Sequence, residues 1–371
     1  EALQTEISGS SQFAGLKHDL SLTLMRHRQL DRMPRTKLDD PEAPIATSNI
    51  YVNNYTLTGL SPLGQPSTNR TEYSTEIGLK DKVQVTAATS IWVGMKNNRF
   101  NRQSIRTDGD GETRDERTVN TASLAVTHQL NTSKMIYASY GEGVELNVAP
   151  NKTGYSNAGF VLPVLKSKQY EVGIKGQQEK TFWQVTWFDI KRPTLNNAPY
   201  GCYATQLDPC TSQVDGEAHH QGLELSGNTT AISQWSIGTG YTWIDAKRQN
   251  STVDSNINGQ RPINVPNYIL RASAEYRFAS IPNLRAGLRL SREGERNVTE
   301  YGEIKLPSWT TWSTSAHYDT KLNGIASTWA IAIENLTNKR YWRESPIQYG
   351  HYYLHPGAPR TVRATAQFRF N

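Results

Sequence analysis

The sequence predicts an all-β protein, a transmembrane antiparallel β-barrel whose connections are short on one side of the membrane and long on the other. Three observations predict it. Apolar and polar residues alternate with period two over stretches long enough for a tilted strand to cross a bilayer. The average residue is nonetheless polar, with 36% hydrophobic residues and a mean hydropathy of −0.63. The links between the alternating stretches switch strictly between short and long.

The alternation is explicit in several segments, taken in chain order. Tyr170, Val172 and Ile174 oppose Glu171, Gly173 and Lys175. Trp235, Ile237, Thr239, Tyr241 and Trp243 oppose Ser236, Gly238, Gly240 and Thr242. Leu270, Ala272, Ala274, Tyr276 and Phe278 oppose Arg271, Ser273, Glu275 and Arg277, and Leu284, Ala286, Leu288 and Leu290 oppose Arg285, Gly287, Arg289 and Ser291. At the end of the chain Val362, Ala364, Ala366, Phe368 and Phe370 face one way, and Thr361, Arg363, Thr365, Gln367 and Arg369 the other. A soluble sandwich alternates as well, so the links decide. Short links fall near Gly15, at Ala87-Ala88, Asn131-Thr132, Glu179-Lys180, Ile232-Ser233, Ile281-Pro282 and Leu322-Asn323. Long polar links fall between them: Asp31 to Asn69, Asn101 to Arg117, Leu146 to Lys166, Asn196 to Ala218, Gln249 to Asn267, Glu295 to Ser308 and Arg343 to Pro359. Short periplasmic turns and long extracellular loops are the pattern of an outer-membrane barrel. A compact soluble domain has no reason to keep it.

Composition agrees. No run of eighteen apolar residues occurs, which excludes a transmembrane helix but not a barrel, whose strands show lipid only alternate residues. Nine Trp and eighteen Tyr stand against two Cys and four Met. The net charge of +6 carries both signs and no long basic run, so no nucleic-acid partner is expected. The chain opens at Glu1 without a charged or apolar leader, so an export signal is expected to have been removed or to lie outside it. About fifteen strands are expected and no helix of consequence. An odd number does not close a bacterial barrel, and an open edge in lipid leaves backbone groups unpaired. The expectation is therefore a fragment of a larger barrel, with partners completing the wall as the alternative.

Asn335-Leu336-Thr337-Asn338-Lys339-Arg340-Tyr341, after Trp329-Ala330-Ile331-Ala332-Ile333, resembles the penultimate-strand signature of TonB-dependent receptors. Gly357-Ala358-Pro359-Arg360 and the aromatic ending complete it. Tyr170-Glu171-Val172-Gly173-Ile174-Lys175, Gly222-Leu223-Glu224-Leu225, Asn264-Val265-Pro266 and Leu306-Pro307 with Trp309 resemble the siderophore type, in the expected order. The resemblance covers nearly the whole chain. It implies a barrel of twenty-two strands filled by an N-terminal plug, of which residues 1–371 supply about the last fifteen strands. The plug and the segment that engages the TonB complex are then not in this chain. It further implies the outer membrane of a Gram-negative bacterium and active import of a ferric siderophore, with no cofactor beyond that transported ligand. Other readings are a receptor of the same family for cobalamin, haem or an oligosaccharide, a passive porin, or a membrane-embedded hydrolase. One departure is Asn371, which follows the expected terminal aromatic Phe370.

No nucleophile elbow, zinc-binding His pair or phosphate loop is present, so no enzymatic activity and no catalytic residue are expected, although a triad set by geometry alone is invisible in sequence. Cys202 and Cys210 share one long loop, and in an oxidising compartment they read as a disulfide. Zinc with His219 and His220 is the alternative, and their spacing fits no common zinc pattern. Arg271, Arg277, Arg285, Arg289, Arg363 and Arg369 read as a solvated inner wall paired with acids such as Glu171 and Glu275, or as a funnel for an anionic chelate. In the last loop, Arg343, Tyr349, Tyr352 and His355 are the candidate ligand contacts, because aromatic rings with a guanidinium suit flat anionic chelates, and ordinary interface anchoring is the alternative for Tyr349 to His355. Tyr341 and Trp342, nearest the strand, read as interface anchors. Asp108-Gly109-Asp110-Gly111-Glu112 mimics a calcium loop without its ligand spacing and reads as a solvated hairpin tip.

Overall fold

The computed structural model describes residues 1–33, 67–151, 154–202, 207–348 and 351–370. Among them, fifteen strands form one antiparallel sheet in which every strand pairs with its neighbours in sequence order. The strands are β1 (Ala2–Phe13), β2 (Leu16–Asp31), β3 (Thr68–Gln84), β4 (Thr89–Arg106), β5 (Thr113–Asn131), β6 (Lys134–Glu145), β7 (Leu165–Gln178) and β8 (Thr181–Ala198). They continue as β9 (Thr211–Thr229), β10 (Trp235–Gln249), β11 (Tyr268–Arg277), β12 (Leu284–Glu293), β13 (Trp309–Leu322), β14 (Ile325–Glu334) and β15 (Thr361–Arg369). The only helical piece among the described residues is a single 3-10 turn, Ser255–Ile257.

Register carries the alternation from strand to strand, which makes a two-faced wall. Leu22, Leu79, Met95 and Ala122 stand in one row across β2 to β5. Val172, Trp187, Leu223 and Trp243 form another across β7 to β10. Leu288 and Leu290 continue the outer face on β12, and Ile331 pairs with Ala364 on β14 and β15. These outer residues are exposed although apolar: Leu79 is 56% exposed and Val172 54%. Lipid, not a protein core, is the medium that such a surface fits. The opposite face is polar. Glu76 takes Lys96 at 2.9 Å, Arg102 bonds Glu72 at 2.8 Å, and Arg285 lies 3.7 Å from Glu275 and 3.8 Å from Asp319. Arg271 pairs with Glu293, and Arg363 with Glu334. Three of the six lumenal arginines are thus engaged by neighbouring carboxylates, as the solvated-wall reading expects.

The short links fall where the sequence places them. At Asn323-Gly324 both residues take positive φ, 50° and 82°, which closes a two-residue turn matching the strand twist. Two long links are shorter than expected. β4 runs on to Arg106 and β5 begins at Thr113, while β8 runs on to Ala198 and β9 begins at Thr211. There the backbone ladder outlasts the apolar alternation: on the outer face Asn97 bonds Asn120 at 2.7 Å and Arg99 pairs with Glu116. The strands project past the lipid with polar residues on both faces, a state that hydrophobic periodicity reads as loop. Most of the link from Asp31 to Asn69 lies outside the described residues, as do Tyr349 and Asn371.

Candidate functional site: the extracellular loop assembly

Among the described residues the long loops from β4–β5 onward are bonded to one another, so they form one assembly rather than separate arms. Asn151 of the β6–β7 loop donates to Gly111 O at the β4–β5 tip, at 2.9 Å. In that tip Asp108 takes Arg106 and the Asp110 amide, so its acids are tied to arginine and backbone. Arg117 of β5 donates to Leu162 O and Val161 O, at 2.6 and 2.8 Å, and holds the far limb of the β6–β7 loop.

The same loop is stitched to the β8–β9 loop through Cys210. Its amide donates to Gly154 O and its carbonyl accepts from the Ser156 amide, both at 2.8 Å. Cys210 is fully buried and is joined to Cys202 in a disulfide, with the Cα atoms 5.5 Å apart. His219 and His220 take no part: as consecutive strand residues they point to opposite faces, and His219 bonds Asp189 at 2.7 Å.

Asp215 couples this region to the β10–β11 loop. It sits at the extracellular end of β9, next to Gly216 with φ 68°, farther from the periplasmic turn than the ~9–11 residues a spanning strand needs. Only 4% exposed, its carboxylate accepts from Asn196 at 2.7 Å, Ser251 Oγ at 2.5 Å and the Thr252 amide at 2.7 Å. Burial alone would push its carboxyl up, but these donors together hold it well below the usual carboxylate range.

Beyond it, three tyrosines from three loops converge. The rings of Tyr200 and Tyr301 meet edge to face with centroids 6.2 Å apart. Tyr301 donates its hydroxyl to Asp254 at 2.7 Å. The Tyr200 hydroxyl, burial and Asp254, in that order, push the Tyr301 phenol up. Tyr352 of the last loop comes beside Glu300, and burial, then that carboxylate, raises its phenol too. Arg248 reaches Glu300 at 3.3 Å. This cluster brings together Tyr200, Arg248, Asp254, Glu300 and Tyr301, which sequence reasoning missed. They come from the end of β10 and from the β8–β9, β10–β11 and β12–β13 loops, and no local motif signals their meeting.

The last loop is a folded hairpin. Trp342–Glu344 pairs with His355–Pro356, and Ile347 with Tyr352. Of the candidate contacts, Tyr352 reaches the tyrosine cluster, His355 lies 3.5 Å from Glu344, Arg343 is exposed, and Tyr349 falls outside the described residues. Among the described residues nothing joins Arg343 to Tyr352. Tyr341 is not the interface anchor that its place beside the strand suggests. It stacks on Trp309 with centroids 4.4 Å apart, and its ring lies so close over Gly357 that a Cβ there would meet it at 2.0 Å. Asn335, with φ 48°, donates to Lys339 O and Ala358 O, and the Asn338 side chain accepts from the Arg360 amide at 3.1 Å. The Asn-Leu…Asn…Tyr run is thus the clasp that closes the base of the loop.

A wall apolar outside and charged inside, capped on its long-loop side by one bonded assembly, defines part of an outer-membrane receptor barrel. The chain belongs to the family described as TonB dependent receptor-like, beta-barrel, whose model matches residues 4–336. It is similar to the ferrichrome receptor FcuA of Yersinia enterocolitica, at 28% identity over 58% of this chain and 27% of that protein. It is similar also to the ferrichrome outer membrane transporter/phage receptor of Escherichia coli K12, at 29% identity over 63% of this chain and 30% of that one. Among solved structures, BauA, the ferric preacinetobactin receptor of Acinetobacter baumannii, superposes with a TM-score of 0.78 at 23% identity, over 99% of this chain and 53% of that one. The chain therefore spans less than a third of these two curated relatives and about half of the solved receptor. The family is one of receptors and transporters, in the outer membrane of Gram-negative bacteria.

Proposed function

We propose that residues 1–371 are the C-terminal part of the barrel of a receptor that imports a ferric siderophore across the outer membrane. The observation that carries the reading is the convergence of Tyr200, Tyr301 and Tyr352 with Arg248 above a charged lumen, on loops bonded into one rim. Stacking rings beside a guanidinium suit a flat anionic chelate. Curated relatives that carry the word ferrichrome in their names support the substrate class. The energy for import enters through the TonB complex, engaged by an N-terminal segment together with a plug, both outside this chain. Arg343, Tyr349, Tyr352 and His355 contribute to the outer contact. The intact receptor in an iron-starved strain that depends on it tests this. Uptake of at least one ferric siderophore is expected, and a Tyr349→Ala, Tyr352→Ala double variant should bind about thirtyfold more weakly, the cost of one strong aromatic contact. Uptake of none would overturn the substrate class. Normal uptake by the double variant would overturn the loop assignment alone.

A further inference from the structure

On the outer face of β7 to β10 the register lines up four basic side chains. Lys168 pairs with Lys191, Lys191 with His219, and His219 with Lys247. Counted from the periplasmic ends Gln178, Thr181 and Thr229, this row sits at the top of the ~9–11 residues that span a bilayer. The aromatic residues Tyr170, Trp187 and Trp243 lie below it on the same face, 45%, 43% and 47% exposed. Rings at that level mark the lipid interface.

Like charges directly opposite one another in a sheet destabilise it, and the local acids relieve only His219 and Lys247 of this row. Asp189 bonds His219 at 2.7 Å, Asp245 takes Lys247 at 3.1 Å, and Glu142 is occupied by Tyr140 and by Lys166 at 3.0 Å. Lys168 and Lys191, adjacent and exposed, form neither an ion pair nor a hydrogen bond among the described residues. We propose that Lys168 and Lys191 hold the phosphate of an outer-leaflet lipid whose acyl chains lie along Val172, Trp187 and Leu223. An apolar strip running up to a pair of free cations complements a lipid with an anionic head. This face points away from the lumen, so the inference stands apart from the import reading.

The test uses the full-length receptor in detergent. Native mass spectrometry follows retention of phosphatidic acid, with phosphatidylcholine and inorganic phosphate as separate arms. The parent should retain phosphatidic acid, weakly retain phosphatidylcholine, and lose the former as salt rises. A Lys168→Gln, Lys191→Gln variant should bind phosphatidic acid about thirtyfold more weakly. Lys168→Arg, Lys191→Arg should restore it, and Lys80→Gln, on the lumenal face of β3, should change nothing. Single Lys191→Gln, at an exposed site, keeps the measurement available if the double variant folds poorly, and should lose about fivefold. Equal retention by parent and glutamine variants, an equal loss in Lys80→Gln, or full displacement by inorganic phosphate would overturn the proposal.

Discussion

The side-chain amide of Asn264 clasps the backbone of Ser345, donating to its carbonyl at 2.9 Å and accepting from its amide at 2.7 Å. The two residues stand on different loops, and Ser345 is fully buried. Replacing Asn264 with Ala strands both backbone groups, at a cost of about 1–3 kcal/mol. That cost should appear as faster hydrogen exchange over residues 341–359, with the heat-modified mobility of the folded barrel unchanged. Unchanged exchange there would show that the clasp does not hold the loop.

Ala366 pairs with Trp329 on the outer face, while its neighbour Thr365 points to the lumen. Arginine at a mid-bilayer lipid-facing site costs about 2–4 kcal/mol in barrels. Ala366→Arg should therefore lower the yield of folded receptor far more than Thr365→Arg. Equal losses would reverse the facing assigned to β15.

The Cys202–Cys210 bridge closes a short loop, so removing it should cost about 2–3 kcal/mol, mainly local. Because Cys210 also pairs with Gly154 and Ser156, the Cys202→Ser, Cys210→Ser variant should loosen the β6–β7 loop as well. Limited proteolysis should cut near residues 150–160 sooner than in the parent. Cleavage confined to the β8–β9 loop would limit the effect of the bridge to its own loop.

Asp215 supplies a pH prediction. Its folded carboxyl is held below the usual carboxylate range, so its contribution is full above about pH 4 and is lost only as pH falls toward the depressed value. The β10–β11 loop should stay protected from exchange at pH 5 and open in stronger acid. Asp215→Ala leaves Asn196, Ser251 and the Thr252 amide without an acceptor, and should open that loop at neutral pH by about 3 kcal/mol. Protection equal to the parent at pH 7 would contradict this.

Much of the wall is legible in the sequence because lipid imposes a simple rule on alternate residues. Val362, Ala364 and Ala366 show it, and so does the Asn323-Gly324 turn. Strand ends at Arg106 and Ala198 were not legible, since above the lipid the ladder persists through pairs such as Asn97 with Asn120. The loop cluster was least legible. Tyr352 stands out in the sequence as an aromatic residue in a long loop, but its neighbours Glu300 and Tyr200 come from distant segments through tertiary contact alone. Tyr341 differs from its sequence reading for the same reason: its closeness to a strand points to lipid, whereas its partner Trp309 begins another strand.

The bonds from Asn151 to Gly111, Cys210 to Gly154, Asp215 to Ser251, Tyr301 to Asp254 and Asn264 to Ser345 have a mechanical meaning together. Links arranged in series along a rim transmit strain from one to the next, and each resists only as firmly as its weakest neighbour. A force applied at Tyr352 is then shared by loops that never touch whatever applied it. Along this part of the rim the clasps form an arc that tightens or slackens together, and the softest of them sets how far it can spread.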